Sequence, residues 1–194
     1  MNAIIFPGQG SQVVGMGQEF YKNFGIAKQL FQEADEKLNF KISKLILEGP
    51  ESELKLTQNT QPAILTTSYV IFSVMKKEFN FNFENSKYFA GHSLGEYSAL
   101  VSAQALKFED AVKLVFERGK AMQEAVPNDQ GGMLAVLGCN NEEIISFINK
   151  SKVENEVCEI ANDNAPGQII VSGNIKSINE LKNLLKKSAK KSII

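Results

Sequence analysis

The sequence predicts a mixed α/β protein with a parallel-sheet unit followed by a small antiparallel one. Short apolar runs at residues 2–6 and 88–90 each lead directly into a glycine-containing segment, as buried strands of a parallel sheet do. Beyond about residue 130 the hydrophobic period changes, and the order of elements becomes βαββαβ, which is typical of a ferredoxin-like subdomain. The fold class is therefore α/β, with a parallel-sheet large domain and a ferredoxin-like small subdomain.

The spacing of apolar residues and turn formers assigns the elements of the first domain in order. We predict a buried strand at 2–6, helical segments at 18–38 (broken near Gly25) and 43–47, a short turn at 51–56, a long helix capped by Thr60, a buried strand at 88–90 and helices at 93–101 and 109–126.

Turn formers at residues 127–132 predict a domain boundary there. We assign residues 1–127 to the large domain and 128–194 to the small subdomain. In the latter we predict strands at 133–137, 157–161 and 168–172, helices at 141–149 and 175–187, and a last strand, cut short, at 191–194. Residues 162–168 would form the hairpin between the middle strands.

Composition excludes several classes of function. The chain has 194 residues, is 43% hydrophobic and carries a net charge of −1, so nothing favours a nucleic-acid partner. Its first apolar run is too short for a signal peptide, and no run reaches membrane length. Cys139 and Cys158 lack metal-ligand spacing, and one histidine makes no zinc cluster. We expect a cytoplasmic protein with no membrane partner and no metal.

Glycines also occur in the loop after the first strand, at positions 8, 10, 15 and 17. The Lys-Ser/Thr ending of a P-loop is missing, and the spacing is not that of a dinucleotide fingerprint. We therefore reject a nucleotide site in this loop.

A Gly-x-Ser-x-Gly pentapeptide spans residues 91–95, between a predicted strand and a predicted helix. In that context the glycines permit a sharp turn and a close approach of the next element, so Ser93 is held at a strained position with its hydroxyl exposed. The helix onset directs free N–H groups and a positive dipole end toward charge that develops beside Ser93. The segment predicts a nucleophilic serine; the alternative is a tight turn with a solvated serine.

The chain contains 20 lysines but a single arginine, Arg118. Arginine differs from lysine in its rigid, bidentate fork, which matches a carboxylate or a phosphate. Arg118 also falls on the margin of the apolar stripe of its predicted helix, where a cation can point into a cleft. This pattern suggests recognition of a planar anion; the alternative is a chance surface arginine.

Four segments together resemble, in order, the malonyl-CoA:acyl carrier protein transacylases of fatty acid synthesis and the related acyltransferase domains of polyketide synthases. The matching segments are residues 6–12 (FPGQGSQ), 91–96 (GHSLGE), 118–123 (RGKAMQ) and 162–168 (NDNAPGQ). The resemblance implies that Ser93 is the nucleophile, that the backbone amides of Gln9 and Leu94 form the oxyanion hole, and that Arg118 pairs with the malonyl carboxylate.

The resemblance further implies an activity and its partners. Malonyl would pass from coenzyme A to Ser93 and then to the phosphopantetheine thiol of acyl carrier protein, with no metal or bound cofactor. The two loops that carry Gln9 and Ser93 should leave the same edge of the sheet.

One departure from the family concerns the general base. Members of the family continue well past Ile194, and their catalytic histidine lies in that later part. The resemblance therefore implies that the large domain is α/β-hydrolase-like and is represented here by its N-terminal part only. The single histidine here, His92, should point away from the Ser93 hydroxyl and pack beneath the turn. Two alternatives therefore stay open: a catalytically incomplete fragment that binds acyl-CoA or carrier protein without turnover, and an unrelated serine esterase, although an ester pocket has no use for the cation of Arg118.

Overall fold

A computed structural model describes residues 2–83, 85–126, 130–151, 153–188 and 191–193 of the chain. The chain divides into two compact units, Met1–Ala125 and Val126–Ile194. Of the boundary segment predicted at residues 127–132, residues 127–129 lie outside the described residues, and Gly131 and Gly132 already belong to a strand. The boundary between 127 and 128 stays a prediction.

The first unit is a parallel strand pair with a layer of helices. Its elements are β1 (Asn2–Phe6), α1 (Gln18–Asn23), α2 (Gly25–Leu38), α3 (Ile42–Glu48), α4 (Glu51–Leu54), α5 (Thr57–Lys77), β2 (Ser86–Gly91), α6 (Gly95–Ser102) and α7 (Phe108–Ala125).

Strands β1 and β2 run parallel, with Phe6 opposite Gly91 at their carboxyl ends. The prediction that both strands are buried is wrong. Phe6 is the only residue of the pair with a buried side chain, packing with Phe72 of α5 and Ala99 of α6, whereas Ile5 is 76% exposed. Among the described residues each strand pairs only with the other, and α6 packs against both strands. Because successive side chains of a strand point to opposite faces, Ile5 lies on the face opposite the buried Phe6.

The core of the first unit lies among its helices rather than on its sheet. Helix α5 runs through the middle, with buried residues on most of its surface, and packs against α2, α6 and α7. The fully buried side chains around it include Phe31, Ile42 and Val112. The buried residues of α5 include polar ones, such as Gln61 and Thr66, so the helix is stabilised by burial on most sides rather than by a single apolar face.

Thr60 does not cap α5, because the helix begins three residues earlier, at Thr57. The backbone N–H groups of Asn59 and Thr60 donate to the carbonyl of Leu56 at 2.8 Å each. The Thr60 hydroxyl instead donates to the carbonyl of Leu54 at 2.6 Å. It thereby satisfies a carbonyl at the end of α4, one of the groups that a helix end leaves without an intrahelical partner.

The second unit has the predicted βαββαβ order. Its elements are β3 (Gly131–Leu137), α8 (Asn141–Ser151), β4 (Cys158–Ala165), β5 (Gln168–Asn174), α9 (Ile175–Lys187) and β6 (Lys191–Ile193). The antiparallel sheet has the order β4-β5-β3-β6, and its core comprises side chains such as Val136, Val171, Ile144 and Leu181. The ferredoxin-like prediction is confirmed.

The hairpin between β4 and β5 is tighter than the sequence suggested. Strand β4 continues to Ala165, and the pairing with β5 is irregular between Ile160 and Asn162 and again between Asp163 and Ala165. The turn itself is Pro166 and Gly167, with Gly167 at φ 77°. Residues 161–165 of β4 are all exposed, so polar residues such as Asn162 extend the strand without being buried.

No helix in the described part of the chain is long and apolar enough to cross a membrane.

Candidate active site

The site begins with the backbone of the turn between β2 and α6. Ser93 has φ 54°, in the left-handed region that L-residues rarely adopt. Gly95, which opens α6, lies so close to the end of β1 that a Cβ there would be 2.5 Å from the carbonyl oxygen of Phe6. Only glycine permits that approach, and the approach pins the start of α6 against β1. This is the geometry of a nucleophile elbow.

Arg118 of α7 reaches the elbow serine directly. Its Nη2 donates to the Oγ of Ser93 at 3.0 Å, and its Nη1 donates to the Oε1 of Gln61 at 2.6 Å. The guanidinium also lies over the ring of Tyr97, with 5.8 Å between its carbon and the ring centroid. The sequence separated Ser93 and Arg118 by 25 residues, and the fold places them in hydrogen-bonding contact.

A close helix crossing brings α7 and its arginine to α5. A Cβ at Gly119 would be 2.7 Å from the Cα of Gln58 and 2.7 Å from the carbonyl oxygen of Thr57. Because Gly119 has no side chain, the backbones of α5 and α7 meet at this point. Arg118, its neighbour, thereby lies beside the first turns of α5, where Gln61 is found.

The charge of Arg118 is not neutralised within the described residues. All the ion pairs found there use lysine, and no Asp or Glu pairs with Arg118. Its two side-chain partners, a hydroxyl and an amide oxygen, are neutral groups. A partly buried guanidinium with neutral partners favours binding of an anion.

The loop of Gln9 and the elbow lie at the same end of the parallel pair. The N–H of His92 donates to the carbonyl of Phe6 at 3.3 Å, and a Cβ at Gly8 would lie 2.8 Å from the carbonyl oxygen of His92. Gln9 itself donates from Nε2 to the Oγ1 of Thr57 at 3.3 Å. The structure thus brings the Gln9 loop beside the elbow, and the roles of the Gln9 and Leu94 amides remain predictions.

Leu94 follows the serine as the N-cap residue of α6, and its side chain is buried. His92 precedes the serine. The expectation that it packs beneath the elbow is wrong: its side chain is exposed, and a Cβ at Gly8 would lie 2.8 Å from its Nδ1. The backbone is not extended here, because Ser93 has a positive φ and Leu94 has helical dihedral angles, so the buried Leu94 side chain does not set the direction of the His92 side chain.

Gln61 is the site residue that the sequence did not single out. It is fully buried, accepts the short hydrogen bond from Arg118, and donates from Nε2 to the Sδ of Met122 at 3.4 Å. One signal was available: Gln61 lies three and four residues before Ile64 and Leu65, on the apolar face of the helix. A polar amide on such a face needs a partner, and here the partner is Arg118.

Comparison with known proteins assigns the chain to a protein family. The model of the acyl transferase domain family matches residues 3–193, so the chain belongs to that family.

Among curated relatives, the malonyl CoA-acyl carrier protein transacylase of Bacillus subtilis is 47% identical over 192 residues, covering 99% of this chain and 59% of that protein. The acyl-carrier-protein S-malonyltransferase of Bartonella henselae has a crystal structure that superposes with a TM-score of 0.91 at 38% identity, covering 100% of this chain and 62% of that one. A malonyl-transacylase in complex with a type II PKS acyl-carrier protein gives a TM-score of 0.88 at 38% identity, covering 97% and 60%. The chain spans about three fifths of the length of such relatives.

Proposed function

We propose that this chain carries the acyl-accepting site of a malonyl-CoA:acyl carrier protein transacylase of fatty acid synthesis, working in the cytoplasm. The observation that carries the proposal is the contact between the Arg118 guanidinium and the Ser93 hydroxyl. In a malonyl group one methylene separates the carboxylate from the thioester carbonyl. A guanidinium beside the nucleophile therefore holds the carboxylate while the carbonyl meets Ser93. The names of the relatives point to the same substrates.

The proposed reaction has two half-reactions. The Ser93 oxygen attacks the thioester carbonyl of malonyl-CoA, the oxyanion is stabilised by the backbone N–H groups of Gln9 and Leu94, and the C–S bond breaks to release coenzyme A as its thiol. The phosphopantetheine thiol of acyl carrier protein then attacks the malonyl-serine ester, which restores the Ser93 hydroxyl. The N-terminus of α6, which is the positive end of the helix dipole, lies next to the forming oxyanion.

Arg118 would select the acyl group. An acetyl group has no carboxylate, so its binding leaves a desolvated guanidinium without an anion, which typically costs about 1 to 3 kcal/mol. That penalty corresponds to a preference for malonyl of roughly 5- to 160-fold.

We expect acylation by this chain alone to be slow. A serine hydroxyl needs a positioned base, and the single histidine, His92, is exposed and lies next to Gly8. General-base assistance typically contributes about 10²- to 10⁴-fold. A version extended through the family's later histidine should therefore transfer malonyl faster by that order, and equal rates would show that His92 or a water molecule serves as the base.

Intact-protein mass spectrometry after incubation with malonyl-CoA tests the proposal. We expect a malonyl adduct on Ser93 that is absent from Ser93→Ala, forms more slowly with acetyl-CoA, and loses its malonyl preference in Arg118→Ala. Lys113→Ala, which removes an exposed cation from the same helix, is the matched control. Binding of malonyl-CoA without an adduct would favour a non-catalytic binding role, and hydrolysis of simple esters without malonyl preference would favour an esterase.

A further inference from the structure

We propose that Gln61 is a positioning residue that sets the specificity of this site: it orients Arg118 toward Ser93 and, being neutral, leaves the guanidinium charge free for the substrate carboxylate. The inference rests on the proposed function, because it concerns the same acyl pocket. It assigns the malonyl preference to a pair of residues on two helices rather than to the arginine alone.

The geometry of the amide supports the orienting role. Arginine has only donors, so the atom of Gln61 that faces it at 2.6 Å is the carbonyl oxygen. The Nε2 of the same amide donates to the Sδ of Met122, on α7 one turn beyond Arg118, which fixes the amide plane. With Nη1 held by Gln61 and Nη2 on Ser93, the guanidinium has two fixed directions and cannot rotate freely.

Burial makes that arrangement rigid. Gln61 is fully buried, so water does not compete for its oxygen. A hydrogen bond from a charged donor to a desolvated acceptor is stronger than one between neutral groups. Removal of the acceptor would leave one face of the guanidinium unpaired and the side chain free to take other rotamers.

The neutrality of Gln61 matters as much as its oxygen. A glutamate at this position could keep the same acceptor oxygen but would neutralise Arg118 with a permanent carboxylate. The incoming malonyl carboxylate would then meet a paired cation and a like charge, whereas an acetyl group would lose nothing. The two properties of Gln61 can therefore be separated by substitution.

Two variants and a control separate the hydrogen-bonding role of Gln61 from the effect of its neutrality. Gln61→Met keeps the length of the side chain and removes the acceptor, and Gln61→Glu keeps the acceptor and adds a charge. Gln18→Glu makes the same chemical change at an exposed position at the start of α1. The first readout is the ratio of malonyl to acetyl acylation of Ser93 in single-turnover mass spectrometry. We expect that ratio to fall on the order of 10- to 100-fold in Gln61→Glu, the equivalent of a lost interaction with a charged group, and to be unchanged in Gln18→Glu.

The second readout does not depend on acylation. Because Arg118 is the only arginine in the sequence, ¹⁵N-arginine labelling gives a single guanidinium to observe by NMR. In the unsubstituted protein we expect slow rotation and separate Nη signals, which Gln61→Met should merge. Malonyl-CoA should shift the Arg118 signals of the unsubstituted protein and leave those of Gln61→Glu nearly unmoved.

These outcomes distinguish the two proposals. If the unsubstituted protein gives no malonyl adduct, the proposed function fails, while the NMR comparison still decides whether Gln61 holds Arg118. A folded Gln61→Glu that keeps the malonyl to acetyl ratio would overturn the specificity role of Gln61. If the variants do not fold, averaged Nη signals in the unsubstituted protein would overturn the orienting role, and separate signals would support it.

Discussion

The two sheets of this protein use their apolar residues in different ways. In the second unit the central strands β3 and β5 present fully buried side chains, such as Leu134 and Val171, to helices α8 and α9. In the first unit the strand pair β1 and β2 buries Phe6 but leaves Ile5 and Tyr88 exposed, and the main core lies among the helices. The second sheet is thus the core of its unit, whereas the first mainly positions the loops that follow its strands.

This difference explains where the candidate active site is found. Parallel strands bring their carboxyl ends together, so the Gln9 loop and the Ser93 elbow meet although 84 residues separate them (93 − 9). Antiparallel strands alternate in direction and make no such common edge. The helices around β1 and β2 then supply the remaining polar side chains of the site, Arg118 and Gln61.

The largest effect should come from opening a cavity in the second sheet. Leu134→Ala removes a fully buried side chain from β3 and should lower the free energy of unfolding by about 2 to 5 kcal/mol. Ile5→Ala, on the 76% exposed position of β1, is the matched control and should change it by about 0.5 kcal/mol or less. Urea unfolding followed by circular dichroism measures both, and hydrogen exchange shows which unit loses protection. Equal losses would contradict the comparison of the sheets.

A second prediction is that contacts between helices stabilise the first unit. Asp35 of α2 accepts hydrogen bonds from the N–H and the hydroxyl of Ser43 at 2.8 and 2.7 Å, and pairs with Lys41 at 3.3 Å. Asp35→Ala leaves the start of α3 without this cap and should cost about 1.5 to 3 kcal/mol, as a lost hydrogen bond to a charged group does. Hydrogen exchange at the first turn of α3 is the measurement. Glu36→Ala, on an exposed position of the same helix, should leave that exchange unchanged.

A third prediction tests the contact between β1 and the elbow. The added methyl group of Gly95→Ala would meet the carbonyl oxygens of Phe6 and Pro7 at 2.5 and 2.7 Å, so the backbone must move. We expect a loss of about 1 to 3 kcal/mol, as for an overpacked site, together with loss of Ser93 acylation. Gly25→Ala at the start of α2, where a Cβ would meet nothing within 4 Å, should not destabilise the protein. Unchanged acylation in Gly95→Ala would show that the tight approach is not needed for reactivity.

The smallest effect concerns the thiol of Cys158 on β4. Burial raises its pKa, a hydrogen bond with Ser151 lowers it, and the charge of Glu159 raises it, with a net upward shift. Because the folded protein disfavours the thiolate, the contribution of Cys158 to stability is complete below the ordinary thiol pKa and declines as the pH rises through the raised value. Alkylation of the native protein by iodoacetamide should therefore be slower at Cys158 than in urea at the same pH. Equal rates would indicate an accessible, unshifted thiol.

Sequence patterns predicted the second unit closely, because each of its strands and helices shows either a local alternation of apolar and polar residues or a hydrophobic period near 3.6 residues. They also located the elbow, since the two glycines and the serine are adjacent in the chain. The patterns were less successful with Ile5, because an apolar run identifies a strand without saying which of its faces is covered. They also misplaced the start of α5, where Thr60 serves the end of the preceding helix.

Residues that act by pairing across the chain were hardest to foresee. No local signal links Asp35 to the start of α3, and none links Gln61 to Arg118, 57 positions away. The single arginine was nevertheless conspicuous in the composition, which is why Arg118 could be proposed as an anion-binding residue before its neighbours were known.

The sequence by itself determined the order of the elements, the strand-to-helix turn at Ser93 and the chemical identity of the one guanidinium, because these depend on neighbouring residues and on side-chain chemistry. The tertiary structure alone decided that Arg118 contacts Ser93, that Gln61 holds the other side of the guanidinium with a neutral oxygen, and that no described carboxylate neutralises it. The physical reason is that direction and charge balance at a partly buried cation depend on which helices cross nearby, and here the crossing of α5 and α7 at Gly119 sets both.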